Sequence, residues 1–166
     1  MTRACTRSPS RAPAAASFAT VKISVAADER AGVAERIVSA LEERGHEVTC
    51  HGALSEGERS DWAWCSSLAA RDVAEGRAER AVVCCWTGTG AAIAANKIDG
   101  VRAALCSDAV TAAGARRWND ANALALSLRT TSVAELEEIL DAWLQASPSD
   151  DAADGANIEH LAELER

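Results

Sequence analysis

Short apolar runs alternate with longer amphipathic segments along most of this chain. Five runs are rich in alanine, valine and leucine and hold few charges, which is typical of strands buried on both faces of a sheet. They lie at residues 21–26, 47–50, 81–85, 102–106 and 123–126. Segments with the apolar spacing of helices separate them. This βαβαβ order predicts an α/β fold, a three-layer α/β/α sandwich with a five-stranded parallel Rossmann-like sheet.

Helical periodicity marks the segments between the strands. Residues 31–44 form the first predicted helix, whose apolar face is made of Val33, Ile37 and Leu41. A second helix is predicted at 61–75, and strong helix formers fill 91–97. Ser132 is the predicted N-cap of the last helix. The apolar stripe of that helix consists of Val133, Leu136, Leu140 and Trp143.

Three segments of different composition divide the chain. Residues 1–20 contain arginine, serine, alanine and proline but no acidic residue, which predicts a disordered N-terminal tail. An organelle transit peptide has a similar composition and stays an alternative. Residues 21–146 carry the alternating pattern and are the predicted catalytic domain. Residues 147–166 form an acidic C-terminal tail with a short predicted helix.

Composition and charge exclude several classes of protein. A length of 166 residues suits one domain, and 25 acidic against 17 basic residues give a net charge of -8, which disfavours nucleic acid as a partner. No apolar stretch approaches the ~20 residues of a membrane helix, so no membrane partner is expected. The six cysteines include no CxxC pair, so we expect neither a zinc site nor a disulfide scaffold, and a cytoplasmic location.

The run AVVCCWTGTGAAIAANK, residues 81–97, joins a buried strand, a thiol, a glycine turn and a helix start. Free amides at a helix start favour a negative charge such as a thiolate, a phosphate or an enediolate. Cys85 is therefore a candidate base or nucleophile. Strand alternation places Cys84 on the opposite face of the sheet, where a small buried core residue is expected.

Three known glycine or cysteine motifs do not fit this run. A dinucleotide-binding fingerprint needs a glycine where Ile93 stands, and a Walker loop needs a lysine directly after a glycine, whereas Lys97 follows Asn96. A phosphatase-type loop needs an arginine six residues after its cysteine, and neither cysteine has one. These binding chemistries are therefore not predicted.

The longer stretch CCWTGTGAAIAANKIDGVRAALCSDAVTAAGARRWNDANALALSLR, residues 84–129, resembles the central block of the ribose-5-phosphate isomerase B and galactose-6-phosphate isomerase family. The family has a cysteine followed by GTGxG, IAANKxxGxRAAL and HNDAN, and the resemblance extends over about 21–144. It implies an aldose-ketose isomerase that moves a proton between C1 and C2 of an open-chain sugar phosphate. Cys85 matches the base, and the resemblance implies no metal or other cofactor.

Other site residues follow from their position or from the resemblance. Ligands bind beyond the carboxyl ends of parallel strands, where Asp28 either orients a substrate hydroxyl or caps the first helix. Thr87 either bonds the substrate or stabilises the turn, and Gly88 with Gly90 holds the enediolate. Two further predicted site residues, Asp61 and Trp62, lie near an Asp-Tyr pair of the family, although an N-cap and a packing aromatic are the alternative.

The family builds its site between two subunits, which implies a homodimer with shared active sites, and a tetramer stays open. The resemblance places Asn119 and Arg129, which matches a phosphate-binding arginine, opposite the partner's base. A turn residue is the alternative for Asn119. The predicted ligand is a small sugar or sugar phosphate.

The sequence departs from the family where the family opens the sugar ring and grips the phosphate. Glu29 and Arg30 follow Asp28 where the family has a histidine, and they are the nearest substitutes for it. Trp118 replaces the histidine of HNDAN, Trp86 replaces a glycine, and the acidic tail lacks the family's arginines. These changes predict a reshaped pocket and a substrate other than ribose 5-phosphate. A sugar-phosphate epimerase and a noncatalytic sugar-binding module are the alternatives.

Overall fold

The computed structural model describes residues 19–165. Residues 1–18, nearly all of the predicted N-terminal tail, lie outside the described residues, and so does Arg166. The strands are β1 (Lys22–Ala27), β2 (Glu47–Gly52), β3 (Arg80–Cys85), β4 (Ala103–Leu105) and β5 (Ala123–Ser127). The helices are α1 (Ala34–Glu43), α2 (Trp62–Ala74), α3 (Thr89–Ala95), α4 (Ala109–Asn119), α5 (Val133–Gln145) and α6 (Ala152–Leu164).

The five strands form one parallel sheet in the order β2-β1-β3-β5-β4. The carboxyl ends of β1, β3 and β5 are level, because Ala27 pairs with Cys84 and Cys85 pairs with Ser127. The loops after these strands therefore leave the sheet at one edge, which we call the carboxyl edge. The predicted α/β sandwich with five parallel strands is confirmed.

Helices cover both faces of the sheet and form two separate cores. On one face, α1, α4 and α5 pack against Val25, Val82 and Leu124, and the fully buried Trp143 lies in this layer. On the other face, α2 and α3 contact a layer made largely of alanine. Small side chains let these two helices approach the strands closely. Cys84 belongs to the first core and Cys85 to the second, as strand alternation predicts.

The first helix begins three residues later than its sequence pattern predicts. Gly32 has a left-handed conformation with φ of 55°, and a Cβ atom there would lie 2.2 Å from the carbonyl oxygen of Leu128. The chain therefore turns against the loop after β5 before α1 starts at Ala34. Val33 occupies the N-cap position and no side chain caps this helix, so the alternative role of Asp28 as a helix cap is wrong.

The C-terminal segment returns to the body of the domain. The Ser149 amide donates to the carbonyl oxygen of Arg117 at 2.7 Å, and Oε1 of Glu165 accepts from the Gly100 amide at 2.9 Å. The helix predicted in the acidic tail is present as α6. Within residues 19–165, no helix has the length and apolarity needed to cross a membrane.

Candidate active site

Two loops at the carboxyl edge are joined by backbone hydrogen bonds. The amides of Leu128 and Arg129 donate to the carbonyl oxygens of Cys85 and Trp86, each at 3.0 Å. The hydroxyl of Ser127 also donates to the carbonyl oxygen of Trp86, at 2.9 Å. These bonds hold the loop after β3 against the loop after β5. The backbone around Cys85 is therefore held in place by these hydrogen bonds.

The Cys85 sulfur lies beside the first turn of α3. Its Sγ accepts a hydrogen bond from the Ala91 amide at 3.4 Å, and the residue is only 4% exposed. A backbone amide that points at sulfur stabilises negative charge on it, as the start of a helix does generally. The arrangement suits a thiolate that takes a proton from a carbon atom of a bound ligand.

The neighbouring thiol of Cys84 has a different environment. Its Sγ donates to the carbonyl oxygen of Ala26 at 3.2 Å, and its side chain is completely buried. Burial raises the pKa of Cys84 well above its ordinary value, and the charge of Asp28 adds to that increase. Cys84 therefore stays protonated, which agrees with its predicted role in the core.

Both glycines of the turn are required by close contacts. Gly88 has φ of 76°, and a Cβ atom there would lie 2.6 Å from Cδ1 of Leu105. A Cβ atom on Gly90 would lie 2.9 Å from the ring of Trp62. Beside them, the hydroxyls of Thr87 and Thr89 are 2.7 Å apart and hydrogen bonded. The sequence analysis did not include Thr89, whose hydroxyl orients the predicted site residue Thr87.

Asp28 offers an unused acceptor at the carboxyl edge. It directly follows Ala27, the β1 residue that pairs with Cys84. Its Oδ1 atom is buried and has no hydrogen-bond partner among the residues that the structure describes. Burial raises the pKa of Asp28, and repulsion from Glu29 raises it further. A ligand hydroxyl that donates to this oxygen would satisfy it.

The next two residues leave the sheet and are exposed. Arg30 donates from Nε to the carbonyl oxygen of Ala53 at 2.7 Å and from Nη1 to Glu35 at 3.1 Å. It thereby joins the loop after β1 to the loop after β2. Within the described residues 19–165, no hydrogen bond or ion pair joins Glu29 or Arg30 to Cys85, and their role as substitutes for the family's histidine stays a prediction.

Aromatic side chains border the Cys85 loop. Asp61 caps α2 by accepting from the Trp64 amide at 3.1 Å, which fulfils the alternative named for it. Trp62 lies against Gly90 and is still 45% exposed, while Trp86 is 52% exposed. Exposed indole faces of this kind stack on the apolar faces of sugars.

A second pair of predicted site residues lies at the other end of the sheet. Nε of Arg102, just before β4, donates to the carbonyl oxygen of Asn119 at 3.1 Å. Trp118 packs against Gly114 near the end of the same helix. One chain therefore does not bring Trp118 or Asn119 to Cys85. Arg129, in contrast, lies at the carboxyl edge of the same chain, where its amide donates to the carbonyl oxygen of Trp86. This position differs from the prediction that Arg129 faces the partner's base.

A small cavity that the sequence analysis missed adjoins the site. Its volume is about 200 Å³, and Thr87 forms part of its wall. Most of its other polar groups come from the end of β5, the loop that follows and the first turn of α5, namely Ser127, Thr130, Thr131 and Glu135. The run of hydroxyl residues after β5 is the sequence signal that could have indicated this cavity.

Comparisons with known proteins agree with this geometry. The model of the ribose/galactose isomerase family matches residues 23–161. Ribose-5-phosphate isomerase B of Escherichia coli strain K12 is 42% identical over 110 residues, which are 66% of this chain and 73% of that protein. D-erythrulose-4-phosphate isomerase of Pectobacterium atrosepticum is 33% identical over 127 residues, which are 76% of this chain and 84% of that protein. The structure of Trypanosoma brucei type B ribose 5-phosphate isomerase superimposes with a TM-score of 0.79 and 36% identity, covering 88% of this chain and 99% of that one.

Proposed function

Because the chain belongs to the ribose/galactose isomerase family, whose members are sugar-phosphate isomerases, we propose that it interconverts an aldose and a ketose by proton transfer on Cys85. One observation carries the proposal: Sγ of Cys85 accepts from the Ala91 amide at 3.4 Å. That contact provides a sulfur base held beside hydrogen-bond donors, at the edge of the sheet where ligands of such folds bind.

The reaction needs one base and one set of donors. The Cys85 thiolate takes the proton from C2 of the open-chain aldose, and the electron pair of that C–H bond forms the C1–C2 double bond of an enediolate. The charge moves to O1, where amides at the start of α3, including that of Gly90, stabilise it by roughly 3 kcal/mol per donor. The Gly88 amide is already engaged, since it donates to the carbonyl oxygen of Cys85 at 3.2 Å. The thiol then returns its proton to C1 as the hydroxyl proton on O2 transfers to O1. Asp28 and Thr87 hold the neighbouring hydroxyls.

The proposed substrate is a short sugar phosphate. Trp118 stands where the family's ring-opening histidine is expected, and a four-carbon sugar phosphate needs no such group because its carbonyl is already free. The relative from Pectobacterium atrosepticum, named for a four-carbon substrate, supports this choice. Arg129 supplies a cation at the carboxyl edge for the phosphate, and the indole rings of Trp62 and Trp86 contact the sugar.

A second copy of the chain completes the proposed site. Asn119 and Trp118 lie at the opposite end of the sheet from Cys85, close to the start of β4. In this proposal a partner subunit brings them to that base. Exposed apolar side chains on α3, β4 and α4 provide a surface for such a partner. These side chains belong to Ile93, Leu105, Val110 and Trp118.

The proposed dimer has a measurable consequence. Light scattering of the purified protein is expected to give at least twice the chain mass of 17.3 kDa. Val110→Asp places a charge on the proposed subunit surface and is expected to lower both the measured mass and the activity. Val133→Asp on α5 is the control, because it changes an exposed apolar residue outside that surface. A stable monomer with full activity would contradict the shared site.

Deuterium exchange tests the proposed reaction. The protein is incubated in heavy water with four-, five- and six-carbon sugars, free and phosphorylated. We expect one deuterium on the carbon next to the carbonyl, because the thiol exchanges its proton with solvent between removal and return. The product is followed by NMR, and a ketose from an aldose is the expected result. Inversion at the labelled carbon without a ketose would identify an epimerase, and tight binding without exchange would identify a binding module.

A further inference from the structure

A histidine outside the proposed site lies between two carboxylates. Nε2 of His51 is 2.7 Å from Oδ2 of Asp72, and Nδ1 is 3.2 Å from Oε2 of Glu58. His51 is on β2, Asp72 on α2, and Glu58 in the loop that connects these two elements. The imidazole side chain is 13% exposed, so these contacts are largely screened from solvent. The histidine thus ties this loop, residues 53–61 and here called the Glu58 loop, to the body of the domain.

Asp72, the more buried of the two carboxylates, is held in its ionised form by hydrogen bonds. The hydroxyl of Ser24 on β1 donates to Oδ2 of Asp72 at 2.8 Å, and Nε of Arg77 donates to Oδ1 at 2.7 Å. Burial of Asp72 acts to raise its pKa, but hydrogen bonds from His51, Arg77 and Ser24 outweigh burial and lower it. Asp72 is therefore a permanent hydrogen-bond acceptor.

Glu58, the more exposed of the two carboxylates, holds its loop against the end of β2. Oε2 of Glu58 accepts from the Gly52 amide at 3.0 Å as well as contacting His51. Partial burial acts to raise the pKa of Glu58, but the Gly52 amide and His51 outweigh it and lower the pKa. Three residues further along the chain, Asp61 caps α2, and Trp62, the first residue of that helix, lies against Gly90. The position of Trp62 at the site thus depends on where the Glu58 loop is held.

The histidine bridges the two carboxylates through its two ring nitrogens. Each carboxylate accepts hydrogen bonds, so a ring nitrogen that carries hydrogen can donate to the carboxylate it faces. The groups that face it are Asp72 from α2, Glu58 from its loop and, through Asp72, Ser24 and Arg77. The contact with Glu58 is the longer one, and Glu58 has the more exposed side chain.

We propose that His51 is a positioning residue whose bridge between Asp72 and Glu58 latches the Glu58 loop and so seats Trp62 against Gly90 beside the catalytic cysteine. The inference rests on the proposed function for its effect on catalysis, although the latch itself does not.

The first test compares KM and kcat for the best sugar phosphate in the wild type and in variants of His51 at one pH. His51→Gln cannot bridge both carboxylates, and we expect it to raise KM about tenfold with little change in kcat, as the wall formed by Trp62 loosens. His51→Lys keeps several hydrogen-bond donors and is expected to stay closer to the wild-type KM. His160→Gln, an exposed position on α6, is the matched control and should behave like the wild type.

An unchanged KM in His51→Gln would overturn the proposal. Hydrogen-deuterium exchange of the amides in 52–61 gives a second readout that needs no substrate. Protection is expected to fall about tenfold in His51→Gln and to persist in His51→Lys. Unchanged protection in His51→Gln would also overturn the latch, whereas wild-type protein without turnover but with the expected exchange pattern in the variants would overturn the proposed function alone.

Discussion

Replacing Cys85 with alanine is expected to lower deuterium exchange and turnover by a factor of about a hundred to ten thousand. The substitution removes the sulfur that accepts from the Ala91 amide, and the adjacent thiol of Cys84 cannot replace it because Cys84 faces the other core. Alanine fits the small-residue layer between the sheet and α3, so the fold is expected to persist. The measurement is the rate of deuterium incorporation under saturating sugar phosphate, together with the circular dichroism spectrum.

Cys84→Ala is the matched control for this experiment. It removes an adjacent thiol of the same size whose pKa is raised by burial and which donates to the Ala26 carbonyl. We expect its free energy of unfolding to fall by about 1 kcal/mol, with activity kept. Full activity in Cys85→Ala would show that another group moves the proton, and loss of activity only in Cys84→Ala would reverse the two roles.

Local signals explain why most of the fold was predictable from the sequence. Each strand is a compact apolar run, and Ser132 with Glu135 forms a capping box that marks the start of α5 within four residues. The start of α1 was predicted too early because its reason is not local. The turn at Gly32 is imposed by the carbonyl of Leu128, which lies far away in the sequence. No periodicity in the segment 31–44 carries that information.

The candidate site likewise combines contacts that are local in the sequence with contacts that are not. The contact between Cys85 and the Ala91 amide spans six residues, so the strand, the turn and the helix start indicated it together. The link from Ser24 to Asp72 spans 48 residues, and each of these residue types is ordinary in its own element. Only the packing of α2 on β1 and β2 brings them to His51. The latch could therefore not be recognised without the structure.

Sugar selectivity is the second large effect that we expect. The wild-type protein should convert a four-carbon aldose phosphate at least about a hundredfold more efficiently than ribose 5-phosphate. Ribose 5-phosphate is mostly a closed ring, and opening it needs a proton donor and acceptor near the ring oxygen. The proposed site offers an indole at Trp118, whose single N–H donates only. The short aldose has a free carbonyl, so its reaction needs no ring-opening group.

The measurement is kcat/KM for both phosphates, with the wild type expected to stay below roughly 10⁴ M⁻¹s⁻¹ on ribose 5-phosphate, the lower end of the usual enzyme range. Trp118→His introduces a group that both donates and accepts protons, and it should raise the value for ribose 5-phosphate while leaving the four-carbon value nearly unchanged. Trp118→Phe is the control, because it changes the size of the side chain without adding a proton carrier. A gain in both variants would mean that Trp118 acts by bulk, and a wild-type value above 10⁴ M⁻¹s⁻¹ would mean that ring opening does not need this position.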